Sequence, residues 1–185
     1  LGMFGASVGL DGLVKSKNWA RPHRGRRILP VLDYYYRVPA AAGVNSTIVD
    51  LARWMQAQMG LARDVLPSDV LATIQTPRVN TPRPYGSSAL GRELKSPGYG
   101  LGMRSFTYKE HRLVGHSGAV AGYRSAMMFD PTTKTGIVLL WNSESSIPWR
   151  LQPELFDMAY GLPFHDWLDL KPGLADKDVA QVQTR

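Results

Sequence analysis

The sequence predicts an α+β fold, an antiparallel sheet with flanking helices, and three observations carry that prediction. Apolar residues recur at helical spacing in "NSTIVDLARWMQAQMG". From Tyr99 onward they come instead in short extended runs, each parted from the next by turn residues. A helical pattern then returns in "PWRLQPELFDMAYG". Helices, then strands that follow one another, then a covering helix form the order of an α+β domain rather than of alternating βα units.

The totals fit that class. With 185 residues, 44% of them hydrophobic and 20% charged, the chain can bury a core of ordinary size. It has no cysteine, which excludes disulfides, thiol catalysis and Cys-type zinc sites. No apolar run approaches the roughly 18 residues of a membrane span, and "LGMFGASVGLDG" lacks the pattern of a secretory signal. The net charge of +7 raises nucleic acid as a partner. Its one dense cluster, "RPHRGRR" from Arg21 to Arg27, sits among Pro and Gly with no binding motif nearby, so we read it as a solvated loop and expect no nucleic-acid partner.

Taken in order, residues 1–42 read as irregular, with "LDYYYRVPAAAG" an extended stretch broken at Pro39 and Gly43. Tyr34, Tyr35 and Tyr36 are either cleft-lining or half-buried strand residues. The first clear helix is capped by Asn45 or Ser46, offers Ile48, Leu51, Ala52, Met55 and Met59 as one apolar face, and ends at Gly60. A shorter helix follows Ser68 in "SDVLATIQ" and stops before Pro77. Residues 77–98, where Pro and Gly recur, predict a long surface loop.

Beyond it, "YGLGMRSFTY", "HRLVGHSG", "GYRSAMMFD" and "GIVLLWN" are strand candidates of a meander, with "DPTTKTG" a hairpin connection. The last helix offers Leu155, Phe156, Met158 and Ala159 to a sheet face. The organisation is therefore 1–98, helices and long loop; 99–170, sheet and C-terminal helix; and 171–185, a polar tail.

Two triplets place a basic residue, a hydroxyl and a glycine in succession: His116-Ser117-Gly118 and Lys134-Thr135-Gly136. In serine acyl-transfer enzymes such a triplet lets a substrate lie against a strand backbone. Lys134 follows "DPTT" and so falls in a turn. His116 lies near a strand-like run thinned by Gly115, Gly118 and Gly122, a pattern that suits either a ligand-facing backbone or a bulge.

At this point the chain resembles class C β-lactamases and related penicillin-binding-protein-like serine hydrolases. "PAAAGVNSTIVDLARWMQAQMG" is similar to their Gly-x-x-Ser-Thr turn and the helix after it. "YGLGM" is similar to their "YGLGW", and "HSGAVAGYRSAMMFDPTTKTGIVLLWNSES" to their third active-site box with the strands that follow. "LGM" at Leu1 looks like the close of their helical domain, so residues 1–98 would be that domain's C-terminal end. The resemblance runs from Leu1 to about Trp167 and implies part of a β-lactamase/transpeptidase-like fold.

In that register His116-Ser117-Gly118 falls on the family's Lys-Thr-Gly box, and Lys134-Thr135-Gly136 is a decoy. The resemblance implies that His116 takes the place of the family's lysine. It implies that Ser117 donates to a substrate carboxylate or carbonyl, that Gly118 keeps the approach clear, and that the Ala119 N–H is one of two oxyanion donors. Asn142 is either a substrate-facing amide or a polar strand end.

The family's nucleophile is a serine in S-x-x-K, assisted by Y-x-N or Y-x-S. No serine here has Lys three residues on, and the nominal matches Tyr85-Gly86-Ser87 and Tyr123-Arg124-Ser125 fall outside the family's position for the motif. Gly5-Ala6-Ser7-Val8-Gly9 offers a rival G-x-S-x-G, but with too little chain before it for a nucleophile elbow.

We therefore expect the C-terminal portion of a serine hydrolase acting on a β-lactam, ester or peptide-type amide. Its expected partners are a small-molecule substrate and an N-terminal segment of the same protein carrying S-x-x-K and Y-x-N, and its expected location is periplasmic or secreted. The alternative is a non-catalytic ligand- or partner-binding domain of the same fold. No cofactor is expected, and His23, His111 and His165 have no metal-ligand spacing.

Overall fold

The computed structural model describes residues 1–168. The expected polar tail, 171–185, lies outside the described residues. In chain order come β1 (Ser7–Val8), α1 (Leu10–Val14), β2 (His23–Arg24) and β3 (Arg27–Ile28). A 3-10 turn (Tyr34–Arg37), α2 (Pro39–Ala42) and β4 (Val44–Asn45) follow, then α3 (Ile48–Gln58), α4 (Ser68–Gln75), β5 (Val79–Asn80) and α5 (Ala89–Glu93). The rest is β6 (Leu94–Tyr99), β7 (Arg104–Tyr108), β8 (His111–Val120), β9 (Tyr123–Asp130) and β10 (Thr135–Trp141), a second 3-10 turn (Ile147–Arg150) and α6 (Leu151–Ala159).

Strands β5 to β10 form one antiparallel meander in the order β10-β9-β8-β7-β6-β5. Its interior strands are apolar on both faces, and successive residues go to opposite layers. On β9, Met127 and Phe129 enter a core with Met55, Met59, Met103 and Val114, on the α3 side. Met128, between them, joins Leu90, Leu94, Phe106, Tyr108, Leu113 and Phe156, on the α5 and α6 side. The unbroken run "AMMF" is thus what a strand covered by helices on both faces requires.

The helices differ from the sequence reading in phase. Thr47, not Asn45 or Ser46, caps α3: its hydroxyl accepts from the Asp50 N–H at 3.1 Å. Asn45 is instead drawn into β4, opposite Ser7. The buried face of α3 includes Asp50, Met55, Ala57 and Gln58, while Ile48 stays 48% exposed. Two polar residues take inward positions. The Asp50 carboxylate accepts from the Gly5 N–H at 2.8 Å. Gln58 accepts from the Gln75 side-chain amide, at 2.7 Å on its main-chain carbonyl and 3.3 Å on Oε1, while its own Nε2 has no partner among the described residues.

In α6, Phe156 is the apolar anchor, 1% exposed, while Met158 is 70% exposed. Buried Asp157 replaces the expected apolar partners by accepting from Tyr108 at 2.6 Å and Trp167 at 2.9 Å. The stretch 77–98 is not one loop: it holds β5, α5 and most of β6.

Candidate active site

β7 pairs with β8 only as far as Arg104 opposite Gly115. β8 continues to Val120, paired on its other side with β9 through His116–Met127, Ser117–Ala126, Gly118–Ser125, Ala119–Arg124 and Val120–Tyr123. Residues 116–120 therefore have strand pairing on one edge and none on the other among the described residues. His116, Ser117 and Ala119 are exposed there, whereas Leu113 to Gly115, where β7 covers the strand, are buried. Gly115 is required at the junction: a Cβ would lie 2.0 Å from the Met127 carbonyl oxygen and 2.8 Å from the Met128 Cα.

Three side chains meet where β7 gives out. The Tyr99 hydroxyl lies 2.9 Å from His116 Nε2, and the two rings stand edge to face with centroids 5.9 Å apart. Arg104, opposite Tyr99 across the β6–β7 connection, holds its guanidinium carbon 5.3 Å from the Tyr99 ring centre. Loss of water around the imidazole, and then the Arg104 charge, push the His116 pKa below its ordinary value, against a smaller opposing pull from the Ser117 backbone.

The other end of the β8 stretch is braced by the segment that reads as a solvated basic loop. Arg21 to Ile28 form a small hairpin, β2–β3, laid over the sheet end. Pro22 is fully buried, and Gly122 at φ +74° makes room for it: a Cβ there would lie 2.4 Å from the proline ring. Tyr123 donates to the Ala20 carbonyl at 2.7 Å, and Arg24 pairs with Glu144 at 2.5 and 3.2 Å. Asn142 belongs to this brace. Its amide donates to the Arg21 carbonyl at 2.8 Å and sits 3.2 Å from His23 Nδ1. It stands beyond Trp141, whose register partner Arg124 faces Ala119, so about two strand spacings (~10 Å) separate it from the triplet.

Lys134 lies at the other end of β9. It occupies the β9–β10 hairpin at φ +60°, and its Nζ donates to the Met59 carbonyl at the end of α3 at 2.5 Å. Asp130 organises that hairpin by accepting from the Thr132 and Thr133 N–H groups. Burial works to raise the Asp130 pKa, but hydrogen bonds from Thr132, His111 and Thr133 outweigh it and hold it low. This triplet is built into a turn and a helix end.

The chain from Leu1 to Glu154 matches the family model described as Beta-lactamase. It belongs to the beta-lactamase family.

The fold agrees. The octameric penicillin-binding protein homologue of Pyrococcus abyssi superposes with a TM-score of 0.70 at 21% identity, over 87% of this chain and 35% of that one. A class C beta-lactamase superposes with a TM-score of 0.61 at 20% identity, over 89% of this chain and 48% of the other. The chain thus spans between a third and a half of the length of these structures. No curated protein matches the sequence. This is a family of hydrolases, and no helix among the described residues is long and apolar enough to cross a membrane.

Within this family member, the rival Ser7 lies on β1, before a turn at Gly9 into α1. Its hydroxyl accepts from Asn45 at 3.1 Å, so its described hydrogen-bond partner is an amide and not a base. Tyr35 is buried in a 3-10 turn, and Tyr36 donates to Asn45 at 2.6 Å, so neither sits in the extended strand that the sequence suggested. Reading the sequence alone passes over Arg104 and treats Tyr99 only as part of a motif. The missed signal is that the two bracket Gly-Leu-Gly-Met, a connection tight enough to set them opposite each other.

Proposed function

We propose that this chain is the C-terminal portion of an acyl-transfer serine hydrolase whose substrate, a β-lactam, ester or peptide-type amide, lies along residues 116–120. The observation that carries this reading is the unpaired edge of β8. An extended acyl group can add to it as an extra strand, and the small side chains at Gly118 and Ala119 let it come close. Ser117 donates to a substrate carbonyl or carboxylate, and the Ala119 N–H serves as one oxyanion donor. Such a donor is worth about 3 to 4 kcal/mol of barrier when preorganised. Asn142 acts indirectly, by holding the Arg21–His23 brace against the end of the strand.

The nucleophile is a serine of S-x-x-K in an N-terminal segment of the same protein, which also carries Y-x-N. Two facts support this. No serine in the chain has Lys three residues on, and the chain covers less than half the length of the structures it resembles. The attacking serine oxygen bonds to the acyl carbon as the substrate's C–N or C–O bond breaks, and the Lys–Tyr pair carries the serine proton to the leaving nitrogen or oxygen; water then cleaves the acyl ester, releasing the carboxylic acid and restoring the serine hydroxyl. The expected compartment is periplasmic or extracellular.

Intact-mass measurement of the complete protein after a fluorophosphonate or penicillin tests this. One covalent adduct on an S-x-x-K serine is expected, absent from the 185-residue chain alone. A complete protein that binds but never acylates would favour the non-catalytic binding domain. An adduct on Ser7 would overturn the assignment of the nucleophile.

A further inference from the structure

The proposed site has lost the lysine charge of its triplet, yet an uncommitted cation stands beside it. Arg104 is exposed and begins β7 where β8 loses its cover; its guanidinium makes no hydrogen bond or ion pair with another described residue and lies over the Tyr99 ring. Surface arginines without a carboxylate are ordinary, but this one is oriented. The Tyr99 ring fixes the guanidinium on one side, and the Tyr99 hydroxyl fixes the His116 imidazole at 2.9 Å on the other.

We propose that Arg104 is the anion-binding residue of this site, taking the carboxylate of a substrate laid along 116–120, and that Tyr99 positions both Arg104 and His116. The proposal rests on the strand-edge reading above. A guanidinium presents a planar fork that matches a carboxylate with two parallel hydrogen bonds, which a lone imidazole cannot do. The electrostatics agree. Burial, and then the Arg104 charge, disfavour protonation of His116, so the imidazole is the neutral neighbour and the permanent charge belongs to Arg104. The groups that bear on His116 are Arg104, the Tyr99 hydroxyl and the Ser117 backbone, and none of them is an anion that would restore its charge. The ligand class that follows is a singly charged acyl compound with a free carboxylate, rather than a polyanion, which calls for several cations.

The test uses the complete protein with hippurate as probe, and hippuramide and inorganic phosphate as controls, read by isothermal titration and by nitrogen-15 shifts of the His116 ring. Hippurate is expected to bind at least tenfold more tightly than hippuramide or phosphate, with an affinity flat from pH 6 to 8. Arg104→Gln should lose at least tenfold, Arg104→Lys should lose less, and Tyr99→Phe should weaken binding and alter the His116 tautomer signal. Hippurate binding that survives Arg104→Gln, that fades as His116 deprotonates, or that never exceeds hippuramide would overturn the proposal. Arg104→Lys guards against a folding defect, because it keeps the charge. Fluorophosphonate acylation, measured separately, distinguishes failure of this proposal from failure of the hydrolase reading.

Discussion

His116-Ser117-Gly118 and Lys134-Thr135-Gly136 are nearly the same three residue types, both on the β8–β9–β10 ladder, with opposite fates. The first lies on the part of β8 that has outrun its neighbour, so its side chains and one backbone edge face outward. The second is used up: the lysine closes a helix end, the threonine opens a strand, and the glycine sits where a Cβ would lie 2.6 Å from the Met55 sulfur. A triplet's chemistry is thus decided by what its strand lacks beside it. Residue identity alone would choose the second, because only it has the literal Lys-Thr-Gly, whereas the open strand edge favours the first.

The sharpest way to break this contrast is at the glycines. Gly115→Ala meets backbone at 2.0 Å, which cannot move without disrupting the β8–β9 ladder, so a loss of about 3 kcal/mol is expected in urea unfolding. Gly136→Ala meets the flexible Met55 thioether and the Phe129 Cβ, and should cost about half as much. Equal losses would mean that the two ladders are equally tight.

Gly118→Ala separates stability from function. Its added methyl meets the Ser125 hydroxyl, which can rotate away, so folding should change by under about 1 kcal/mol. Acylation by the complete protein should still fall at least tenfold, and unchanged acylation would remove Gly118 from the site. Lys134→Ala should do the reverse. It should cost about 1 kcal/mol through the lost bond to Met59 and leave hippurate affinity unmoved.

The smallest expected effect is in pH. A histidine whose folded pKa is depressed binds its proton more readily when unfolded, so its contribution to stability is lost as pH falls from about 6.5 toward the folded value. Urea midpoints measured from pH 7.5 to 5 should decline with that shape in the wild type. The same decline should be absent in His116→Gln. Loss through Asp130, whose pKa is held low, falls at more acid pH and so does not confuse the reading.

Much of this was legible in the sequence. Short extended runs parted by turn residues marked β7 to β10, and Gly60 and Pro77 fitted the ends of α3 and α4. What was not legible depended on partners distant in the chain. The phase of α3 is set in part by Asp50 meeting Gly5 and by Gln75 reaching Gln58, and no apolar periodicity reports a polar residue turned inward. The stretch 77–98 looked like loop because its prolines hide short elements that exist only by pairing, such as Val79 opposite Tyr99. Within the site, the exposed triplet was legible as a motif. The Tyr99–Arg104 pair was not, because it needs the register of two strands.

The core beneath the β8 stretch has one further consequence. Met55, Met59, Met103 and Met127 make up most of the layer between the sheet and α3. Thioethers are unbranched and polarizable, so this layer can absorb small shifts of the strand above it without opening a void. The same chemistry makes it the part of the protein where oxidation would do most harm, although peroxide reaches the exposed Met158 first. Each sulfoxide would set a polar oxygen in a dry layer, loosening α3 from β9 and β10 until a reductase restored it.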